Sequence, residues 1–321
     1  MKFAQNLLTA CSALAFAGAA LAQGGYPDRP ITLIVPFLAG GGADITARQL
    51  ARAMEKHMPA AARITVVSRP GAAGEIGMSA VATARPDGYT LGLTTTPNIV
   101  AIPIERSAQY TLDTLDALAN IVDDPGTLSV HADSPIRSIA DLIAASRKEK
   151  DGLTVGTAGI GSAGHIALVM LMNMSELRGV NVPFSGSAGV RTALLTRDIQ
   201  VGFANLGEAL TFSKGNPWRI LAQMAPQRLS IAPDIPTFRE LGIPIETGSL
   251  RLVIAPRGMP KEVVAYLEAT IEKAMQDPEF LATAKATDLP VRYMRRDEIN
   301  KFLRNMDGRL RELWKVAPWN K

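Results

Sequence analysis

The chain has 321 residues, a formal net charge of +4, and 47% hydrophobic against 20% charged residues. That length supports about two domains of ~100–200 residues each, and the weak, dispersed charge excludes a nucleic-acid footprint, which needs clustered Lys and Arg. A single cysteine and three scattered histidines, His57, His131 and His165, exclude a disulfide framework and give no zinc ligand set, so neither metal nor cofactor is expected.

The N-terminus reads as a secretion signal. Lys2 supplies a positive charge, residues 7–21 are almost wholly apolar or small, and Ala20-Leu21-Ala22 is an A-x-A cleavage site, which places the cut after Ala22. The apolar run is too short for a membrane span of roughly 20 residues. The stretch before Cys11 is also too short for a lipidation signal, and it carries Gln5 and Asn6. Cutting 22 residues from 321 leaves 299 and removes the only thiol.

From there strands and helices alternate. Residues 31–35 are short, apolar and β-branched and predict a buried strand. The loop Leu38-Ala39-Gly40-Gly41-Gly42-Ala43-Asp44 follows, then a helix with Ala47, Leu50, Ala51, Met54 and Met58 on one face; Asp44 is the expected N-cap. Residues 63–67 and 89–94 predict two more strands, with a Gly71, Gly74, Gly77 loop and a helix from Met78 between them. Asp123-Asp124-Pro125-Gly126 reads as a linker-like break before a strand at 128–130. Ser138 then caps a helix, with Asp141 as its capping-box partner. Strand–glycine loop–helix units recur at 153–174 and 180–195, strands are expected at 199–203, 218–223 and 250–255, and two amphipathic helices close the chain.

Such alternation predicts an α/β fold of two lobes, each a mainly parallel sheet flanked by helices. The expected organisation is a signal peptide at 1–22, a discontinuous first lobe of 23–125 plus 247–321, and a second lobe of 126–246. In these sheets ligands settle at the carboxyl ends of the strands, where the glycine loops lie.

Backbone amides in the loop before the first helix can approach an anion, and a helix dipole favours negative charge there. A P-loop needs Lys and Ser or Thr after its last glycine; here Ala43-Asp44 stands instead, which excludes a nucleoside triphosphate. Gly159-Ile160-Gly161-Ser162-Ala163-Gly164 spells a dinucleotide fingerprint between a strand and a helix. The acidic residue that should end the next strand is absent from Val182-Pro183-Phe184-Ser185. What survives is a second amide-rich helix start able to bind a carboxylate. No G-x-S-x-G elbow occurs. Ser162 and His165, three positions apart at a helix start, suit capping better than hydrolysis.

The segments YPDRPI, VPFLAGGGAD, RPGAAGEIG, ARPDGYTL, GTAGIGSAGH, NVPFSGSAG, PDIPTFRELG and IAPRGMPKEVV occur in an order that resembles the Bug-type solute-binding proteins of tripartite tricarboxylate transporters. The resemblance spans essentially the whole mature chain. It implies a periplasmic, non-enzymatic, monomeric protein with a type II periplasmic-binding-protein fold. Such a protein captures a small carboxylate in the interlobe cleft and delivers it to membrane permease subunits. It further implies that backbone amides and waters from two facing glycine loops hold the carboxylate without an arginine clamp. Carried onto this chain, the ligand-binding residues are Phe37, Ala39, Gly40, Gly41, Gly42 and Asp44 on one side. Gly159, Gly161, Ser162, Gly164 and His165 face them, and Thr95, Thr96, Phe184, Ser185 and Asn205 complete the lining.

Four departures stand out: Ala39 for a proline, Gly164 for a threonine, Phe184-Ser185 for Tyr-Lys, and Ala204 where the family often has Asp before Asn. Loss of that Asp favours a plain or aromatic carboxylate, di- or tricarboxylates included, over an amino acid. A secreted α/β hydrolase or oxidoreductase, and a ligand sensor serving a signalling receptor, remain as alternative readings of the residues alone.

Overall fold

The computed structural model describes residues 25–60 and 62–319, so the expected signal peptide and its cleavage after Ala22 lie outside the described residues. The chain opens with β1 (Ile31–Val35), α1 (Gly42–Glu55), β2 (Ile64–Ser68), α2 (Glu75–Ala82), β3 (Thr90–Thr95) and α3 (Asn98–Glu105). A 17-residue strand, β4 (Leu115–His131), then leads to α4 (Ile139–Lys148), β5 (Leu153–Thr157), α5 (Ala163–Met174), β6 (Gly179–Pro183) and α6 (Ser187–Leu195). There follow β7 (Val201–Asn205), α7 (Leu206–Ser213), β8 (Trp218–Gln223) and β9 (Gly248–Pro256). The chain ends through α8 (Lys261–Met275), α9 (Pro278–Ala286), β10 (Val291–Arg295) and α10 (Arg296–Val316).

Two sheets share β4. Its first part, Leu115 to Pro125, pairs antiparallel with β9, which continues through β3 and β1 to β2. Its second part, Gly126 to His131, pairs antiparallel with β7 and β8, and β7 leads on to β5 and β6. The outer pairs β1–β2, β1–β3, β5–β6 and β5–β7 are parallel, as strand–helix–strand units require. Antiparallel pairing is confined to the strands around β4, where the chain crosses between sheets.

The expected break at Asp123-Asp124-Pro125-Gly126 is thus no linker, because the backbone stays extended through it. Pro125 lacks an N–H, yet it pairs with Gly248 in the ladder while Asp123 and Asp124 pair with Leu250 and Ser249. Local composition signalled a turn; the partner strand β9 held the segment extended instead.

Each sheet is packed on both faces. Leu50 and Met54 of α1 meet Leu267 and Ile271 of α8 on one face of the first sheet. Met78, Ile99, Ile299 and Leu303, from α2, α3 and α10, cover the other. In the second sheet Leu142, Leu168 and Leu171 of α4 and α5 cover one face, and Val190, Leu194 and Ala209 of α6 and α7 the opposite one. Complete burial of one such side chain stabilises the fold by about 1.5–3 kcal/mol. Ile166 of α5 packs into the first sheet's cluster, so the two halves touch through apolar atoms as well as through β4.

Helix starts follow local chemistry, with one correction. Ser138 accepts the Asp141 N–H at 3.1 Å, and Asp141 reaches back to the Arg137 N–H at 3.0 Å. Asp44 is not the N-cap of α1: Gly41 holds that place in extended geometry, and Asp44 is the third helical residue. Its carboxylate reaches back to the Gly40 N–H at 3.0 Å. Glycines before a helix leave the cap to the backbone, so the first acidic side chain falls one turn late.

Phe238, in the PTFREL segment, is fully buried in the second sheet's core. Phe238→Ala should lower stability by about 3–5 kcal/mol through lost contacts and an unfilled cavity. Urea denaturation measures it, and a loss below ~1 kcal/mol would show that this segment is peripheral to the core.

Candidate functional site

The strands β1, β3, β5, β6 and β7 all end at one crevice, and the helix after each begins there. Gly41, Gly42 and Ala43 of α1, Asn98 of α3 and Ser162, Ala163 and Gly164 of α5 line a cavity of about 200 Å³. Ser187, Ala188 and Gly189 of α6 and Asn205 and Glu208 of α7 complete its polar wall. The first amides of a helix have no intrahelical acceptor, and each helix start carries about half a positive charge. Five such starts meet on one cavity, drawn from both sheets. Two of the amides are already engaged: Ser162 Oγ accepts the His165 N–H at 3.4 Å, and Asp124 Oδ1 accepts the Gly207 N–H at 2.9 Å.

Of the residues named from sequence, Phe37, Ala39, Gly41, Gly42, Thr95, Ser162, Gly164, Ser185 and Asn205 line this cavity. The others stand elsewhere. Gly40 spends its N–H on Asp44, and buried Asp44 is held by Arg48 at 3.0 Å. Burial alone would raise the Asp44 carboxyl, but the Arg48 guanidinium and the Gly40 amide bring it below its ordinary range. Thr96 is buried, its Oγ1 accepting the Leu250 N–H at 2.9 Å. Gly159 and Phe184 line an adjoining hollow with Pro70, Gly74 and Arg106.

His165 faces a separate hollow beside Trp319. Its Nδ1 accepts the Gly161 N–H at 3.2 Å. Burial pushes the imidazole down to about 4, so it is neutral near pH 7 and offers no cation to an anion. Ser162 and His165 therefore serve the turn rather than each other as nucleophile and base. Gly164 earns its identity by crowding, since a Cβ there would stand 2.5 Å from the Phe203 ring.

Sequence reading missed the charged wall. Arg251 of β9 lines the cavity at 3% side-chain exposure. Its guanidinium donates to Asp124 Oδ2 of β4 at 3.1 Å and to Thr46 Oγ1 of α1 at 2.9 Å. Glu208 Oε1 lies 3.9 Å from Arg251 Nη2 and accepts the Ser187 hydroxyl at 3.0 Å. Gly42 makes room for both, because a Cβ on it would be 2.6 Å from Glu208 Oε1 and 2.7 Å from Arg251 Nη2. One signal was available: a charged residue inside the apolar run Leu250 to Ala255. Nothing local marked Glu208, which reads as an ordinary first-turn acid.

Burial pushes the Asp124 carboxyl up to about 7, against the pull of Arg251 and with further upward pressure from Glu208. The arrangement binds rather than reacts. No group of three or more His, Cys, Asp or Glu able to hold a metal occurs among the described residues.

Residues 46–316 match the family model described as the tripartite tricarboxylate transporter family receptor. The chain belongs to that family. Its members are periplasmic solute-binding proteins, not enzymes. The periplasmic binding protein BugD is similar over 91% of this chain and 98% of its own, at 28% identity and a TM-score of 0.83. A Rhodopseudomonas palustris protein solved with adipate matches with the same coverage and identity and a TM-score of 0.85. MatC of Rhodopseudomonas palustris, solved with bound malate, is 25% identical over 90% of this chain and 99% of its own, with a TM-score of 0.83. The two-lobed α/β fold of this receptor family is thus the fold of this chain. No helix among the described residues is long and apolar enough to cross a membrane.

Asp124 gives the receptor a pH signature. Its folded value, about 7, lies above the unfolded 3.8, so the native state binds that proton more tightly. The stability it contributes is complete below the unfolded value and is lost as pH rises through about 7. Asp124→Asn stays neutral at every pH. Its thermal midpoint relative to the parent should therefore climb between about pH 5 and about pH 8. A difference that is flat or falling over that interval would contradict the assignment.

Proposed function

We propose that the chain is an extracytoplasmic receptor that captures a small carboxylate between its lobes and presents the closed form to the permease of a tripartite tricarboxylate-type transporter. One observation carries this reading: five helix N-termini from both sheets line one largely apolar cavity. The carboxylate sits on the Gly42–Ala43 and Ala163–Gly164 amides, with those of α6 beside them, and the apolar remainder of the ligand packs along Phe37, Leu38 and Phe203. Adipate and malate in the similar structures support a carboxylate as the ligand class.

On this reading the export signal is removed after Ala22. The monomer hinges where β4 and the strand-to-strand connection near 246 cross between lobe 23–125 plus 247–321 and lobe 126–246. A ligand bridging both lobes favours the closed state by as much as it binds that state better. Closure of this hinge type is the usual repertoire of such two-lobed proteins.

Gly41 is the position that tests the cavity. Its φ of −80° and ψ of 170° suit any residue, and a Cβ there meets only Leu38 O, at 3.5 Å. Gly41→Leu should therefore fold normally, with a thermal midpoint within about 2 °C of the parent, while its side chain fills ligand space. Calorimetric titration with whichever carboxylate binds the parent, adipate and malate being the first probes, should show affinity reduced at least ~100-fold. Unchanged affinity would move the site elsewhere.

A further inference from the structure

We propose that Glu208 selects the ligand, accepting a hydrogen bond from a protonated amine on the carbon next to the ligand's carboxylate. This rests on the carboxylate reading above and narrows it to amino acids. It runs opposite to the preference for plain carboxylates that Ala204 suggests.

The side chain is fixed on one oxygen and open on the other. Glu208 Oε1 takes the Ser187 hydroxyl at 3.0 Å and faces Arg251 at 3.9 Å. Oε2 has no protein donor among the described residues, and Glu208 lines the cavity at 17% side-chain exposure. Water can satisfy that oxygen while the cleft is wet. Closure over a ligand expels water, and a carboxylate oxygen left against apolar wall is costly unless the ligand brings a donor. A charged donor forms the stronger bond.

Arg251 does not meet this need. Its guanidinium donates to Asp124, at 3.1 Å, and to Thr46, at 2.9 Å, and it approaches Glu208 at Oε1, 3.9 Å away. A ligand carboxylate is repelled by Glu208 and drawn to the helix amides. Those two demands fall on one cavity, because Glu208 and the first residues of α1, Gly42 and Ala43, line it together. A ligand with an ammonium on the carbon next to its carboxylate can meet both demands; a carboxylate alone leaves Oε2 bare.

The test pairs each amino acid with its deaminated analogue: aspartate with succinate, glutamate with glutarate, phenylalanine with 3-phenylpropionate. Titration calorimetry on the mature chain should show one amino acid binding at least about tenfold more tightly than its partner. Glu208→Gln should bring that ratio to within about threefold, with binding of the analogue little changed. Ser187→Ala, which keeps the charge but frees Oε1, should lower the ratio part-way and guards against a misfolded Glu208 variant. Carboxylates that bind without an amine preference would overturn this inference and leave the receptor reading standing. Equal tightening of both partners by Glu208→Gln would also overturn it, making Glu208 a mere repulsive charge. If none of the six compounds nor adipate or malate binds the parent, the carboxylate reading falls, and this one with it.

Discussion

A guanidinium buried where two sheets meet is the constraint on which the rest of this molecule turns. Arg251 comes from β9, its principal anion Asp124 from β4, its hydroxyl partner Thr46 from α1, and its more distant anion Glu208 from α7. Asp124 in turn holds the Gly207 amide, so the pair joins the crossover strands to the first helix of one lobe and to a helix start of the other. A buried ion pair need not stabilise a fold relative to apolar residues, but removal of one partner costs about 3–5 kcal/mol, because a bare charge remains.

The crossing explains why the site lies where it does. β4 runs unbroken from one sheet into the other, and β1, β3, β5, β6 and β7 end at the gap beside it. The helix after each strand then starts at the gap with its positive end inward. An anion there meets fixed dipoles that need no reorganisation when it arrives. Charged side chains are few in this wall, Arg251 and Glu208 being those that line it. Arg251 is hydrogen-bonded to Asp124 and Thr46.

The cleft is more polarised than its glycine-rich loops suggest. Glu208 places a negative charge among positive helix ends, and Asp124 behind it is driven toward the neutral acid by burial. Anion-attracting amides and an anion-repelling carboxylate thus share one small volume. A cavity with both signs discriminates between ligands of equal net charge by where their charges sit, which net charge alone does not do.

The sequence by itself determined the class of fold and the compartments of chemistry. A short apolar, β-branched run marked β1, period-3.6 spacing marked α1 and the closing helices, and a capping box marked α4; the glycine loops at 39–44 and 159–164 marked two of the helix starts at the cavity. Those signals are local: they depend on side chains a few positions apart. The tertiary structure alone decided what a segment met at long range. It made Asp123 to Gly126 part of a strand, because β9 lay alongside. It also brought Arg251, Asp124 and Glu208 together across 127 and 43 positions of chain. No periodicity records such a meeting, since contacts between distant residues follow from how sheets twist and pack, not from the order of neighbours.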